Sequence, residues 1–493
     1  MAYRDLREFL TALDRAGELH EITAQVSPIL EITEIVDRVV KAGGPALLFR
    51  NVEGYDVPLV INLFGTEKRM AMALGAESLE EPARRIEALL DLDVPGGFIP
   101  KLRKLGDFKD IAKTPPKVVK SGPVQQVVKT GDDIDLLRDL PVMQCWPEDG
   151  GRYITLPQVI TKDPTTGRRN VGMYRLQVYD RNTIGMHWQI HKHGAEQEEE
   201  AARLGQRIEV AVALGGDPVL TYAATAPLPG IDEYVFAGFL RQANVELVRC
   251  QTVDLEVPAH AEIVIEGYVD PTERRLEGPF GDHTGYYSLA DDYPVLHVTA
   301  VTHRERPIYP SIIVGIPPQE DDWLGRATER IFLPLLKFQL PELVDYSMPF
   351  EGVFHSCVIV SIKKRYPKHA FKIASALWGL GLMSLAKLVV VVDEDVDVQD
   401  YSAVAWRAFN NVDWMHDIQV IQGPVDSLDH SSYQLNWGGK IAVDATRKTA
   451  AEGFPREWPP DIVQAPEVVA RLDQRWSELG LPPIPSRHPS SSS

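Results

Sequence analysis

Residues 169–194 read RNVGMYRLQVYDRNTIGMHWQIHKHG. Two runs rich in Val, Ile and aromatic residues, 171–179 and 183–190, flank Asp180, Arg181 and Asn182. Turn-forming residues between β-prone runs predict a hairpin. His187, His191 and His193 share parity, so on a continuing strand they would line one face. One imidazole beside Asn and carboxylate oxygens suits a hard-to-borderline divalent ion, whereas three suit zinc or copper better. The same pattern also describes histidines exposed at a strand end and bonded to solvent.

The β texture extends on both sides of this hairpin. Residues 153–161, 219–225 and the long 245–268 read as strands. An acidic helix at 195–205 and an amphipathic one at 232–242 interrupt them. So many strands between residues 124 and 315 predict a barrel or strongly curved sheet. Before them, 1–112 reads as an α/β domain. Leu6, Phe9, Leu10 and Leu13 share a helical face, helices follow at 30–41, 66–74 and 79–90, and strands at 46–52 and 58–63. Residues 113–123 (KTPPKVVKSGP) have no apolar period and read as a linker. Beyond the β region, strands at 357–362, 388–392 and 418–421 alternate with helices at 368–379 and 402–410. That alternation predicts a parallel sheet with crossover helices within a domain spanning 325–484. A last amphipathic helix, 466–480, would pack on this sheet or on a second subunit, and 485–493 reads as a disordered tail. The expected fold class is therefore a mixed α+β and α/β multidomain protein.

The 493 residues exceed one ordinary core, and 44% hydrophobic with 25% charged residues allows two or three packed domains. A formal net charge of −19 argues against nucleic acid as a partner. Cys145, Cys250 and Cys357 are far apart and read as free thiols in a reducing compartment. No apolar run approaches the ~20 residues that span a bilayer. The opening MAYRDLREFLTALDRAGEL alternates charge with Leu at helical spacing, unlike a signal peptide, so a cytoplasmic location is expected.

Two further stretches could carry chemistry. Residues 277–287, EGPFGDHTGYY, place Glu277 and Asp282 on a Gly- and Pro-rich loop, which suits an acid/base platform or a turn whose acids cap backbone amides. Residues 436–440, NWGGK, put Lys440 after paired glycines, where it could meet a phosphate or a carbonyl oxygen. The spacing is not that of a P-loop.

Together these stretches resemble the UbiD family of prenylated-flavin decarboxylases. The N-x-G-x-Y-R motif (Asn170 to Arg175), residues 43–65 (GGPALLFRNVEGYDVPLVINLFG), the EGPFGDHTGYY loop and the late GGK occur in the family's order along nearly the whole chain. The resemblance implies a central split barrel that binds prenylated FMN (prFMN). It implies Asn170, His191 and Glu233 as ligands of Mn²⁺ or a similar ion (with K⁺ as a possible companion). Spacing alone would not have chosen Glu233, which otherwise reads as an acid favoured by the start of a helix. The implied catalytic residues are Arg175, Glu277 and Asp282. The implied cofactor contacts are Met173, Tyr174, Arg175, His187, Trp188, Gln189, Lys192, His193 and Lys440. Other members carry Glu where this chain has Asp282, and a small residue where it has His193.

Losing carbon dioxide from an unsaturated carbon leaves an electron pair that side chains cannot absorb, so the cofactor must supply the sink. Arg175 would hold the carboxylate, Glu277 would pair with Arg175, and Asp282 would protonate the carbon, its pKa raised by burial and by Glu277. The expected function is reversible, non-oxidative decarboxylation of an aromatic or α,β-unsaturated acid, with a hydroxybenzoate-type or heteroaromatic acid leading. A flavin prenyltransferase would supply the cofactor, and a homodimer or homohexamer is expected. Two alternatives are a split-barrel FMN oxidoreductase and a non-catalytic subunit of a decarboxylase complex. The first needs an electron-donor site, and no dinucleotide fingerprint is present.

Overall fold

The computed structural model describes residues 2–90, 114–188, 193–227 and 230–482. It divides into two compact units, Met1–Thr446 and Arg447–Ser493. In the second, the helix Pro466–Arg475 buries none of its residues.

The first unit begins with helix Leu6–Arg15, capped where Asp5 accepts the Glu8 N–H. Leu6, Phe9, Leu10 and Leu13 are all buried, as their spacing predicts. Strands Leu19–Val26, Ala46–Val52 and Leu59–Ile61 form a sheet that Tyr309–Pro310 completes from far along the chain. The N-terminal and central regions are thereby joined by backbone pairing.

The central sheet has nine strands, all paired antiparallel. At its middle, Ile263–Glu277 pairs with Asp291–His303 in a long hairpin. The run expected at 171–179 is two strands, Arg169–Gly172 and Leu176–Val178. The first ends the sheet beside Gln158–Lys162, and the second lies next to last at the opposite end. Only Met173, Tyr174 and Arg175 separate them, so the sheet must curl into a half-barrel, in line with the strongly curved sheet that so many strands predict.

Several expectations change in the structure. The strand expected at 183–190 stops at Met186, where the Trp188 N–H turns back to the Met186 carbonyl. His193 begins helix His193–Leu204, so His187 and His193 do not share a strand face. Residues 219–225 form helix Pro218–Ala223: Asp217 accepts the Val219 N–H and Pro218 occupies the first turn, signals that outweigh β propensity. The long run 245–268 breaks into Glu246–Arg249, Glu256–Pro258 and the start of Ile263–Glu277. Buried Glu266 accepts the N–H groups of Gln251 and Thr252 and holds the first break as a loop. Within the expected linker, Lys117–Val119 pairs parallel with Glu246–Arg249.

The third layer is a five-stranded sheet in the order Leu343–Ser347, Cys357–Ile362, Leu388–Asp393, Trp437–Asp444, Ile418–Pro424. Its three central strands are parallel. The strand at 418–421 was expected to be parallel, but it is an antiparallel edge paired with Trp437–Asp444, which contains the GGK motif. Helix Glu320–Gln339, which the sequence reading did not identify, leads into this sheet. Its first residue, Glu320, is fully buried and accepts the Asn62 and Phe64 N–H groups at 2.8 Å each, fixing the helix to the N-terminal sheet.

Burial pushes the Glu320 carboxyl up to about 7, against the opposing effects of those N–H groups and Arg69. A carboxyl raised above its unfolded value stabilises the fold fully at low pH and loses that contribution as pH rises through the folded value. The wild-type protein is therefore expected to lose roughly 3 kcal/mol from this group between pH 5 and pH 8. Glu320→Gln should flatten that part of the profile, read from urea unfolding across this range. Parallel wild-type and variant profiles would refute the assignment.

Candidate active site

Arg175 ends the three-residue bridge across the curled sheet and is buried with the acids it meets. Its Nε–H donates to Glu277 Oε1 at 2.9 Å, Nη1 pairs with Asp282 Oδ2, and Nη2 donates to Ser288 Oγ at 3.0 Å. Its guanidinium lies over the Phe280 ring, 5.1 Å from the centroid. Glu277 is the last residue of the strand Ile263–Glu277, and its second oxygen accepts from His187 Nδ1 at 2.6 Å. The structure thus brings Arg175, Glu277, Asp282 and His187 into one buried cluster, from stretches about 100 residues apart.

Asp282 is shifted in the direction opposite to the one expected. Burial would raise Asp282, but the His283 hydrogen bond and the Arg175 charge outweigh it and hold the carboxyl well below the usual range. Glu277 is likewise lowered: burial acts upward, and His187 and Arg175 prevail. The expectation of a raised Asp282 is corrected, because the neighbours that dominate are cations and donors rather than Glu277. The proton is held next door. His283 Nδ1 lies 2.8 Å from Asp282 Oδ1. Burial opposes the charge of His283, but the bond to Asp282 raises its pKa to about 9.

The loop that carries both acids is held from several sides. Gly278 packs back to back on Gly150: a Cβ on Gly278 would lie 2.4 Å from the Gly150 Cα. Gln177 links the same two residues, accepting the Gly278 N–H at 2.8 Å and donating to the Gly150 carbonyl at 2.7 Å. The Trp146 ring fills the space beside Gly281, where a Cβ would approach it to 2.2 Å. Asp149 accepts from Cys145 and Trp146 through one oxygen and from Gly281 through the other. Asp149, His187's role toward Glu277 and Ser288 were missed by sequence reasoning. The only hint in the sequence is the glycines of the loop, Gly278, Gly281 and Gly285, which leave room for close packing.

Asn170 and Glu233 form a second, adjoining group. Both are buried, and Glu233 Oε2 accepts the N–H of Val171, the residue after Asn170, at 3.0 Å. Burial pushes the Glu233 carboxyl up to about 7. Tyr174 joins the group through hydrogen bonds with Asn170 and the Gly194 backbone. The buried indole N–H of Trp188 has no hydrogen-bond partner among the described residues. A buried amide, a buried carboxylate with no ion pair among the described residues and a donor with no partner among them fit a hard cation beside an anionic group. Among the described residues no group of three or more His, Cys, Asp or Glu side chains is arranged to hold a metal ion. His191, Gln189 and Lys192 lie outside the described residues, as does the His193 side chain.

Lys440 lies in the third layer. It is buried in the strand Trp437–Asp444 and donates to the Ser384 and Ala386 carbonyls. Burial lowers its pKa to about 8. Met173 is partly buried and donates its N–H to the Ala224 carbonyl.

Sequence models of the 3-octaprenyl-4-hydroxybenzoate carboxy-lyase (UbiD) family match the chain in three parts. The N-terminal domain matches residues 10–89, the Rift-related domain 117–317 and the C-terminal domain 322–445. An uncharacterized protein of Aquifex aeolicus is 55% identical over 483 residues, covering 97% of this chain and 99% of that protein. Vanillic acid decarboxylase of Sedimentibacter hydroxybenzoicus, in closed form, superposes with a TM-score of 0.84 at 30% identity, covering 97% of this chain and 99% of that one. The UbiD-class enzyme HmfF of Pelotomaculum thermopropionicum, in complex with FMN, gives 0.80 at 30% identity, covering 94% and 98%.

Asp149→Ala would leave the Cys145, Trp146 and Gly281 N–H groups without their acceptor. The expected cost is on the order of 3 kcal/mol or more, since each buried unpaired donor costs about 1–3 kcal/mol. Chemical denaturation should show the loss, with activity falling further because the Asp282 loop is released. Unchanged stability would mean that Asp149 does not hold the loop.

Proposed function

The chain belongs to the UbiD family of carboxy-lyases, and from that premise we propose that it catalyses reversible, non-oxidative decarboxylation of an aromatic or α,β-unsaturated acid. A hydroxybenzoate-type acid leads, in keeping with the vanillic acid decarboxylase among its structural neighbours. The observation that carries the reading is the buried cluster of Arg175 with Glu277 and Asp282, one cation and two acids joined from distant stretches. A solved neighbour in complex with prFMN supports that form of flavin as the cofactor. A flavin prenyltransferase would then be the supplier.

When bound, the flavin supplies the sink for the electron pair left by carbon dioxide. The chain's own residues do the rest. Arg175 offers a charge-assisted donor to the substrate carboxylate and orients the reacting carbon, while Glu277 keeps the guanidinium in place. The Trp188 indole N–H, which has no partner among the described residues, and Tyr174 would line the cofactor cradle. Asn170 and Glu233, with His191, would hold a manganese-type ion that neutralises anionic charge there. Asp282 takes the proton of His283 as negative charge develops on the carbon and passes it to that carbon.

Burial of the acid pair supports catalysis over an inert subunit, because two carboxylates and a guanidinium are costly to keep dry unless used. Assembly as a homo-oligomer is supported by the third layer. Trp406 and Phe409 on helix Tyr401–Asn411, and Val420 on the edge strand Ile418–Pro424, are exposed large apolar side chains.

Asp282→Asn keeps shape but cannot carry the proton. The cofactor-loaded variant should bind substrate and turn over about 10²–10⁴ times more slowly, a range typical of a lost general acid. Arg175→Ala should be worse, because it also removes the carboxylate anchor. An Asp282→Asn turnover within about threefold of wild type, far inside that range, would place the donor elsewhere. Glu233→Gln should fold normally yet retain little manganese after dialysis, measured by elemental analysis. Full metal and flavin retention in this variant would remove Glu233 from the ligand set.

A further inference from the structure

His283 Nε2, the nitrogen facing away from Asp282, lies 3.0 Å from Nε2 of His355. His355 comes from the third layer, on the loop before the strand Cys357–Ile362. Two imidazole nitrogens at this distance hold one proton between them: two would repel, and none would leave lone pairs opposed. The loop is built under strain to reach this point. Val353 and Phe354 have φ of 44° and 47°, a left-handed conformation costly for a β-branched and an aromatic residue. Phe354 stacks on His283, ring centroids 5.2 Å apart. It fits there because helix Glu320–Gln339 has Gly325 opposite, where a Cβ would lie 2.8 Å from the Phe354 Cβ. Strain of this kind persists where surrounding contacts enforce it, and it concentrates at functional sites.

We propose that His355 is a positioning residue for proton delivery: as a neutral imidazole it accepts the Nε2 proton of His283 and so commits the Nδ1 proton of His283 to Asp282. The inference rests on the reading of Asp282 as the site's acid. The step balances simply. Loss of carbon dioxide breaks the bond between the carboxyl and the substrate carbon, and its electron pair takes one proton. That proton passes from His283 Nδ1 through Asp282. His283 is left neutral with its Nε2 proton still held by His355, and solvent returns the proton for the next turnover.

The groups facing His283 fit this arrangement. Besides Asp282 on its own loop and His355, the helix Glu320–Gln339 contributes Asp321 and Asp322, and Asp426 lies beyond the strand Ile418–Pro424. Burial and the adjacent Asp322 raise the Asp321 carboxyl well above the ordinary range, and its Oδ1 has no partner among the described residues. Asp282 is therefore the close countercharge of the imidazolium, and the raised His283 pKa agrees with two ring protons at neutral pH. Nothing in the sequence singles out His355, because its partner lies 72 residues away.

The test is the pH profile of kcat/KM for the cofactor-loaded wild type and for His355→Leu and His355→Gln. Activity should fall as pH rises past the His283 pKa, about 9 in the wild type. In His355→Leu that limb should move down by about one unit, because the charged form loses its acceptor. In His355→Gln, whose Oε1 can accept the same proton, it should return toward wild type, with flavin retention unchanged in both. An unmoved limb in His355→Leu overturns the proposal, as does an equal shift in the two variants. Nitrogen-15 spectra of the histidines cover the case in which His355→Leu does not fold. In the wild-type protein at pH 7, His283 should carry protons on both ring nitrogens, and a bare Nε2 would overturn the proposal. Near-normal turnover by Asp282→Asn would instead refute the underlying acid assignment, so the two failures are distinguishable.

Discussion

A guanidinium taken out of water must be neutralised where it sits, and the Arg175 ion pairs meet that need from two directions. Arg175 belongs to the three-residue bridge that closes the curled sheet, while Glu277 and Asp282 lie at the end of its central hairpin. The ion pairs therefore fasten the closing segment of the half-barrel to its middle. Removing one partner of such a pair typically costs about 3–5 kcal/mol, because the other charge is left buried and uncompensated. The glycine contact between Gly150 and Gly278 and the three hydrogen bonds to Asp149 serve the same end, holding the acid loop against the guanidinium.

Electrostatics within this cluster divide labour between neighbours of similar chemistry. Glu277 is held ionised by His187 and Arg175, which suits a group that keeps the guanidinium in place. Asp282 is also held ionised, yet it touches an imidazole that keeps its proton past neutrality. A carboxylate and imidazolium in contact can exchange a proton when charge appears nearby, since the change in the substrate alters which partner should hold it. This arrangement differs from a carboxyl made acidic-ready by burial alone, and it draws the third layer of the protein into the site through His355.

Much of the architecture was legible in the chain. Periodicity identified the opening helix, the turn residues at 180–182 identified the hairpin Leu176–Val178 with Thr183–Met186, and β texture identified the curled sheet. What local pattern could not show was connectivity. Residues 171–179 read as one strand because Val171 and Leu176 have the same character, whereas the break at 173–175 is imposed by closure of the sheet. Residues 219–225 had β-prone side chains, but the Asp217 cap and Pro218 set a helix. The motifs led directly to Arg175, Glu277 and Asp282. Asp149, Ser288 and His355 escaped because their roles arise only from contacts made across long sequence separations. The ammonium of Lys440, from the late GGK motif, meets carbonyls of its own layer.

The central claim, that this cluster delivers a proton to a carbon that has lost its carboxylate, is tested most directly by hydrogen–deuterium exchange. The cofactor-loaded enzyme would be incubated in D₂O with a panel of phenolic and heteroaromatic compounds, the products expected from aromatic acids. The account predicts deuterium at a single ring carbon of at least one compound, dependent on prFMN and strongly reduced in Arg175→Ala and Asp282→Asn. Equal labelling in the wild type and these two variants would contradict it.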